Sequence, residues 1–379
     1  MLDKTFTGDE KQKKEESKGL NIVVVASGPN PRPMPKKVKS KRTKLPSMAV
    51  LQSNIKKYII GQDEAVDRVI LAIYRSLKIQ NIKTNMLIIG KSGSGKTETM
   101  KQIAKALKLP YTIEDATKYT KEGYVGQDVE DMIYNLYDNS GCILERAERG
   151  MLIIDEIDKK VNNQYEADIS GRDVLNSLLK IVEGTKIFLD APIPSAIPEA
   201  AISEYIDTSR MIVVFMGAFE GIEKIRERRL KRGKCSRIGF NKTEEISQQD
   251  INPRYTKDDL IEFGLPIEFA GRIDTIVEFK ELSKESLSMI ARNSKLSIFR
   301  KYEQYFVQNG ITLRYDESIF DEIADKAITK NTGAREISNV TNEIFENILS
   351  EIFTAPNGKY KECILKKDFV QNPKAYELK

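Results

Sequence analysis

Apolar positions along the chain carry two alternating signals. Met86 to Ile89 is a short, continuous apolar run of the kind shown by a strand buried on both faces. Directly after it, Met100, Ile103, Ala104 and Leu107 recur at helical spacing. Met151 to Ile154 and Met211 to Phe215 repeat the strand signal. From about Ser283 the pattern is helical, and Ile337, Val340, Ile344, Ile348 and Ile352 mark one face of a helix. Strand runs with helical stretches between them predict an α/β fold, with a parallel sheet and helices on both faces, followed by a smaller, mainly helical C-terminal domain. The expected division is residues 1–46, 47–282 and 283–379, with a hinge near Leu282 and Ser283.

Composition refines the first of these segments. Between Arg32 and Lys44 seven Lys and Arg residues occur with no acid, beside Pro29, Pro31, Pro33 and Pro35. Fixed φ angles, missing donors and like-charge repulsion predict that residues 1–46 form a disordered basic arm. The arm holds 12 Lys and Arg against 5 Asp and Glu, leaving 49 of the 61 basic residues against 51 of the 56 acidic ones. A nearly neutral body argues against a dedicated nucleic-acid binder. With 379 residues, 40% hydrophobic and 31% charged, the chain has enough material for two cores, and a cytoplasmic location is expected. Its apolar runs fall far short of a membrane span, and its Lys-rich start is no signal peptide.

Three scattered cysteines, Cys142, Cys235 and Cys363, suggest neither a disulfide framework nor a zinc site. The chain has no histidine, which excludes Ser-His-Asp and Cys-His triads and the HExxH zinc site.

Between the first strand run and its helix lies Gly90-x-x-x-x-Gly95-Lys96-Thr97. Glycines such as Gly90, Gly93 and Gly95 let backbone N–H groups wrap phosphate oxygens, and the helix start adds a positive dipole end. Lys96 would neutralise the β and γ phosphates, and Thr97 offers a hydroxyl to Mg²⁺. The second strand run ends in Asp155-Glu156. Asp155 would hold the Mg²⁺ shell, and Glu156 would orient the attacking water and accept its proton. P-loop, helix, strand and acidic pair together predict an ATP hydrolase.

The stretches "KYIIGQDEAV", "GKSGSGKT", "ATKYTKEGYVGQDVE", "ERAERGMLIIDEIDKK", "SGRDVLNSLLKIVEGT", "GAFEGIEKI", "GLPIEFAGRID" and "NTGAREI" stand in one order from about Leu45 to about Ile352. In this set the chain resembles the ClpX family of AAA+ protein unfoldases. The resemblance implies a large ATPase domain over 47–282 and a small AAA+ domain over 283–379. Ile59 and Ile60 would pack beside the adenine, although from the residues alone the pair serves equally as core. Arg335 would reach the phosphates from the small domain, and Arg272 would contact ATP held by the neighbouring subunit of a homohexamer. Tyr124 and Val125, in the "GYVG" loop, would grip a threaded protein substrate. Ile238-Gly239-Phe240 would dock a separate ClpP-like peptidase, which suits a chain without an evident peptidase site.

The pattern also departs from the family. No cysteine cluster precedes the ATPase body, so the family's N-terminal zinc-binding domain is expected to be absent. The Arg-Lys-His loop has no counterpart, since "LDAPIPSAIPEAAISEY" occupies its interval. Met216-Gly217 follows the third strand run without an obvious polar sensor, and that role stays unassigned. The alternatives are an HslU-like unfoldase, an AAA+ nucleic-acid remodelling ATPase using the basic arm, and a non-hydrolysing scaffold.

Overall fold

A computed structural model describes residues 45–79, 82–120, 128–161, 169–188, 205–235, 253–330, 333–356 and 358–379, without the side chains of 169–170 and 232–235. The apolar runs form strands as expected. In chain order the first seven are β1 (Thr84–Ile89), β2 (Tyr111–Asp115), β3 (Met151–Asp155), β4 (Lys186–Phe188), β5 (Tyr205–Asp207), β6 (Ile212–Gly217) and β7 (Thr275–Glu278). Five of them make one parallel sheet in the order β2-β3-β6-β1-β7, while β4 and β5 pair separately as an antiparallel ribbon.

The central strands carry continuous apolar runs because both faces are covered. Leu87, Ile89, Leu152, Ile154, Val213 and Phe215 point to one side. They meet α4 (Asp131–Asn139), α5 (Leu144–Ala147), α6 (Ile169–Glu183), α7 (Ile222–Cys235), α8 (Lys257–Phe263) and α9 (Ile267–Gly271). Alternate residues, among them Met86, Ile88, Ile153 and Val214, face α1 (Met48–Ile55), α2 (Asp63–Lys78) and α3 (Lys96–Leu107) on the other side. Each fully buried aliphatic side chain contributes about 1.5–3 kcal/mol to holding the layers together.

A third core belongs to the C-terminal part. Ser283 caps α10 (Lys284–Asn293) by accepting the Ser286 N–H, and α11 (Ile298–Gln308), α12 (Ile319–Thr329) and α13 (Ala334–Thr354) follow. Phe299 lies at its centre, edge-on to Tyr315 and Phe320 at 4.9 Å and to Phe345 at 5.3 Å. On α13, Ile337, Val340, Ile344 and Ile348 are buried, as their spacing predicts, and Ile352 is half-buried. The unit also carries a three-stranded sheet not expected from the sequence. Its strands are β8 (Thr312–Arg314), β9 (Glu362–Leu365) and β10 (Tyr376–Leu378), in the order β10-β9-β8. They are only three or four residues long, too short for a clear period of two.

Among the described residues no helix is long and apolar enough to cross a membrane. Cys142 and Cys363 are buried, and burial pushes the Cys363 thiol up to about 12.

Candidate nucleotide site

β1, β3 and β6 end side by side, and the chain turns there into its most polar segments, the position where parallel α/β sheets bind ligands. After β1 the backbone loops through Gly90, Gly93 and Gly95 into α3. Gly95 takes φ +96° at the helix N-cap and has open space where a Cβ would stand. The loop therefore presents bare backbone at the positive end of a helix.

Lys96 is 8% exposed, and its Nζ donates to the carbonyls of Gly90 and Lys91, the latter at 3.0 Å. Burial lowers its pKa and Arg335 lowers it further, while Asp155 and Asp158 oppose the shift. Thr97 Oγ1 donates to Asp155 Oδ2 at 3.0 Å, so the hydroxyl and carboxylate predicted to share a cation stand together. This hard, oxygen-only pair beside a phosphate cradle fits Mg²⁺, which takes few protein ligands and completes its shell with phosphate and water. Among the described residues no cluster of three or more metal-ligating His, Cys, Asp or Glu occurs.

Glu156 stands at φ +58° and ψ +31°, a left-handed conformation for a residue with a side chain. Such a backbone costs about 1–3 kcal/mol. It breaks the strand directly after Asp155 and opens a short 3-10 turn, Ile157–Lys160.

A cavity of about 650 Å³ lies over these groups, and both structural units line it. One wall holds Tyr58, Ile59 and Ile60, with Ile59 buried and Ile60 half-buried. Leu282, Ile290 and Ile298 of the C-terminal unit line the cavity as well. The units meet directly, since Ser294 Oγ donates to the Tyr58 carbonyl at 2.9 Å and Lys295 N–H to the Lys57 carbonyl at 3.1 Å. At the P-loop, Ala334 N–H donates to the Gly93 carbonyl at 3.0 Å, and Arg335 Nη1 to Ser92 Oγ at 3.2 Å. Gly333, at φ +63°, permits this approach, because a Cβ there would stand 2.9 Å from the Gly93 carbonyl oxygen.

The structure thus brings together ten of the sequence-predicted residues: Ile59, Ile60, Gly90, Gly93, Gly95, Lys96, Thr97, Asp155, Glu156 and Arg335. Arg272 lies elsewhere. It follows α9, and its backbone carbonyl accepts from Asn85 Nδ2 at the start of β1. Five residue-to-residue steps along the strand separate Asn85 from Gly90, about 16 Å. At that end of the sheet Arg272 pairs with Glu183 at 2.7 Å. Nearby, Lys83 donates Nζ to the carbonyls of Ile181 at 2.5 Å and Thr208 at 2.6 Å, and burial pulls its pKa down to about 8. Tyr124, Val125, Ile238, Gly239 and Phe240 lie outside the described residues.

Sequence reasoning missed two participants. Asp158 Oδ2 accepts the Phe219 N–H at 3.3 Å and tethers the turn after Glu156 to the end of β6. Its place three residues after Asp155 was a usable signal. Gln62 sits at the N-cap of α2 without capping it. Its Nε2 donates to the carbonyls of Ser94 at 3.1 Å and Lys280 at 2.7 Å, and its Oε1 accepts the Lys280 N–H at 3.2 Å. Its sequence position before Asp63 reads only as a helix start.

Comparison with known proteins agrees with this geometry. Residues 81–276 match the family model described as AAA domain (Cdc48 subfamily), and residues 282–363 match the C-terminal, D2-small domain, of ClpB protein. A relative from Treponema denticola named ATP-dependent Clp protease ATP-binding subunit ClpX is 33% identical over 86% of this chain and 82% of its own length. Relatives of the same name from Borrelia duttonii and Porphyromonas gingivalis are 35% and 30% identical, covering 86% and 87% of this chain and 79% and 83% of their own.

Proposed function

The chain belongs to the ClpX family of AAA+ ATPases, and from that premise we propose that it acts as one subunit of a cytoplasmic homohexamer that unfolds proteins and feeds them to a separate ClpP-like peptidase. The observation that carries this reading is the cavity shared by the two units. A nucleotide held there touches both units, so its presence and chemical state bias the angle between them. An ATPase that only hydrolysed would need no such shared wall.

In this reading the Gly90 to Gly95 backbone cradles the phosphates, and Lys96 moves its ammonium from loop carbonyls to phosphate oxygens. Thr97 and Asp155 would hold Mg²⁺, which when bound would supply positive charge against that developing on the phosphates. Glu156 orients the attacking water and takes its proton. Arg335 reports the phosphates to the C-terminal unit that carries it. Arg272 stands about a strand length from its own chain's P-loop, which supports action on the nucleotide of a neighbour. A contact of that kind is heterologous and closes as a ring. Tyr124 and Val125 act as the substrate grip, and Ile238, Gly239 and Phe240 as the peptidase anchor.

The test compares ATP turnover and unfolding of a reporter protein with an unstructured tail, using wild type, Tyr124→Ala and Glu156→Gln. Unfolding should be lost in both variants and turnover only in the second. Normal unfolding by Tyr124→Ala would overturn the reading.

A further inference from the structure

Residues on both sides of 121–127 meet on a single buried carboxylate. Glu114, on β2, is 8% exposed. Tyr119, which immediately precedes Thr120 and that segment, is fully buried and donates its Oη to Glu114 Oε2. From the other side Asn135, on α4, donates Nδ2 to Glu114 Oε1 at 3.1 Å. Thr112, two residues earlier on the same strand, donates to the same oxygen. Three neutral donors thus converge on one acceptor, and two of them flank the segment that carries Tyr124. Burial and the adjacent carboxylate push the Tyr119 phenol upward, so it remains a donor at neutral pH.

An apolar residue at position 114 would fill the space without withdrawing a carboxylate from water. A buried polar network earns its place through geometry, because its members tolerate only the arrangement that satisfies all of them. Tyr119 has a second tether. Its carbonyl accepts from Lys160 Nζ at 3.0 Å, and Lys160 ends the turn that Glu156 begins. β2 also lies in register with β3, placing Asp115 opposite Asp155.

We propose that Glu114 is a positioning residue for the substrate-gripping segment. It fixes both flanks of 121–127 to β2, and through β2 and Lys160 to the strand and turn that carry Asp155 and Glu156. Displacement at the nucleotide is then delivered to Tyr124 instead of being absorbed at the flanks. This inference rests on Tyr124 being the grip, and the experiment separates the two ideas.

The full chain, with ATP and a tailed reporter protein, is compared as wild type, Tyr119→Phe, Asn135→Ala, the double variant and Tyr124→Ala. Tyr119→Phe and Asn135→Ala should keep ATP turnover within about twofold, while ATP consumed per reporter unfolded rises about fivefold, the scale of one lost hydrogen bond. The double variant should be little worse than either single one, because both act through one carboxylate. The chain contains no tryptophan, so Tyr124→Trp supplies a single indole that can be excited apart from the tyrosines. Its emission should respond to ATP, and adding Tyr119→Phe should abolish the response. Unchanged ATP consumption per unfolded reporter in both flank variants, with Tyr124→Ala defective, overturns the assignment. So does a proportional loss of turnover and unfolding, or failure of both flank variants to fold, since either makes the network ordinary core. Normal unfolding by Tyr124→Ala instead removes the grip reading on which the inference stands.

Discussion

The placing of single residues was the most legible part of this chain. Lys96, Thr97 and Asp155 are candidates by type and spacing alone, because phosphate and Mg²⁺ accept few alternatives, and the structure sets Thr97 and Asp155 3.0 Å apart. Glu156 adds strain that no sequence pattern announces. Its replacement, Glu156→Gln, should keep nucleotide binding and lower steady-state ATP turnover about a hundredfold to ten-thousandfold, the usual contribution of a positioned base. Lys83 was illegible, since one lysine before an apolar run looks like a solvated charge, yet it is half-buried and donates to two carbonyls. Its pKa falls from 10.5 to about 8 on folding, so between those values the unfolded chain binds more protons and stability rises with pH. Relative to Lys83→Met, wild type should gain up to about 3 kcal/mol across that window. Denaturant unfolding of both proteins below pH 8 and near pH 10.5 measures this gain, and parallel stabilities would refute it.

At the scale of elements, long apolar runs were read correctly and short ones were not. β1, β3 and β6 are buried on both faces and carry a continuous signal. β8, β9 and β10 consist of three or four residues whose pairing is decided by the C-terminal core. Contacts between elements left still less trace. Gln62 bridges the P-loop to the end of β7 through three hydrogen bonds to backbone groups remote in sequence. Gly333 is the sharper case, because its role appears only when Gly93 is placed opposite it. Gly333→Ala should force the start of α13 away from the P-loop and weaken nucleotide binding about tenfold, with the fold retained. Equilibrium titration with a fluorescent ATP analogue reads the change, and unaltered affinity would mean the contact is slack.

For the whole molecule, the sequence order of motifs identified a two-part ATPase, since strand, loop, helix and acidic pair must follow one another to build the site. What it could not convey is that the P-loop and Arg272 lie at opposite ends of β1. That separation predicts complementation in trans. Arg272→Ala and Lys96→Ala chains should each be nearly inactive, while an equimolar mixture regains activity at about a quarter of its subunit contacts under random assembly. A mixture no better than its parts would place Arg272 outside the reaction.

The same separation sets how the protein responds to scarcity. If the reaction needs two chains pressed together, hydrolytic capacity belongs to the junction and none resides in a solitary copy. Turnover per chain then falls steeply below the assembly threshold, and dilution by itself acts as an inhibitor.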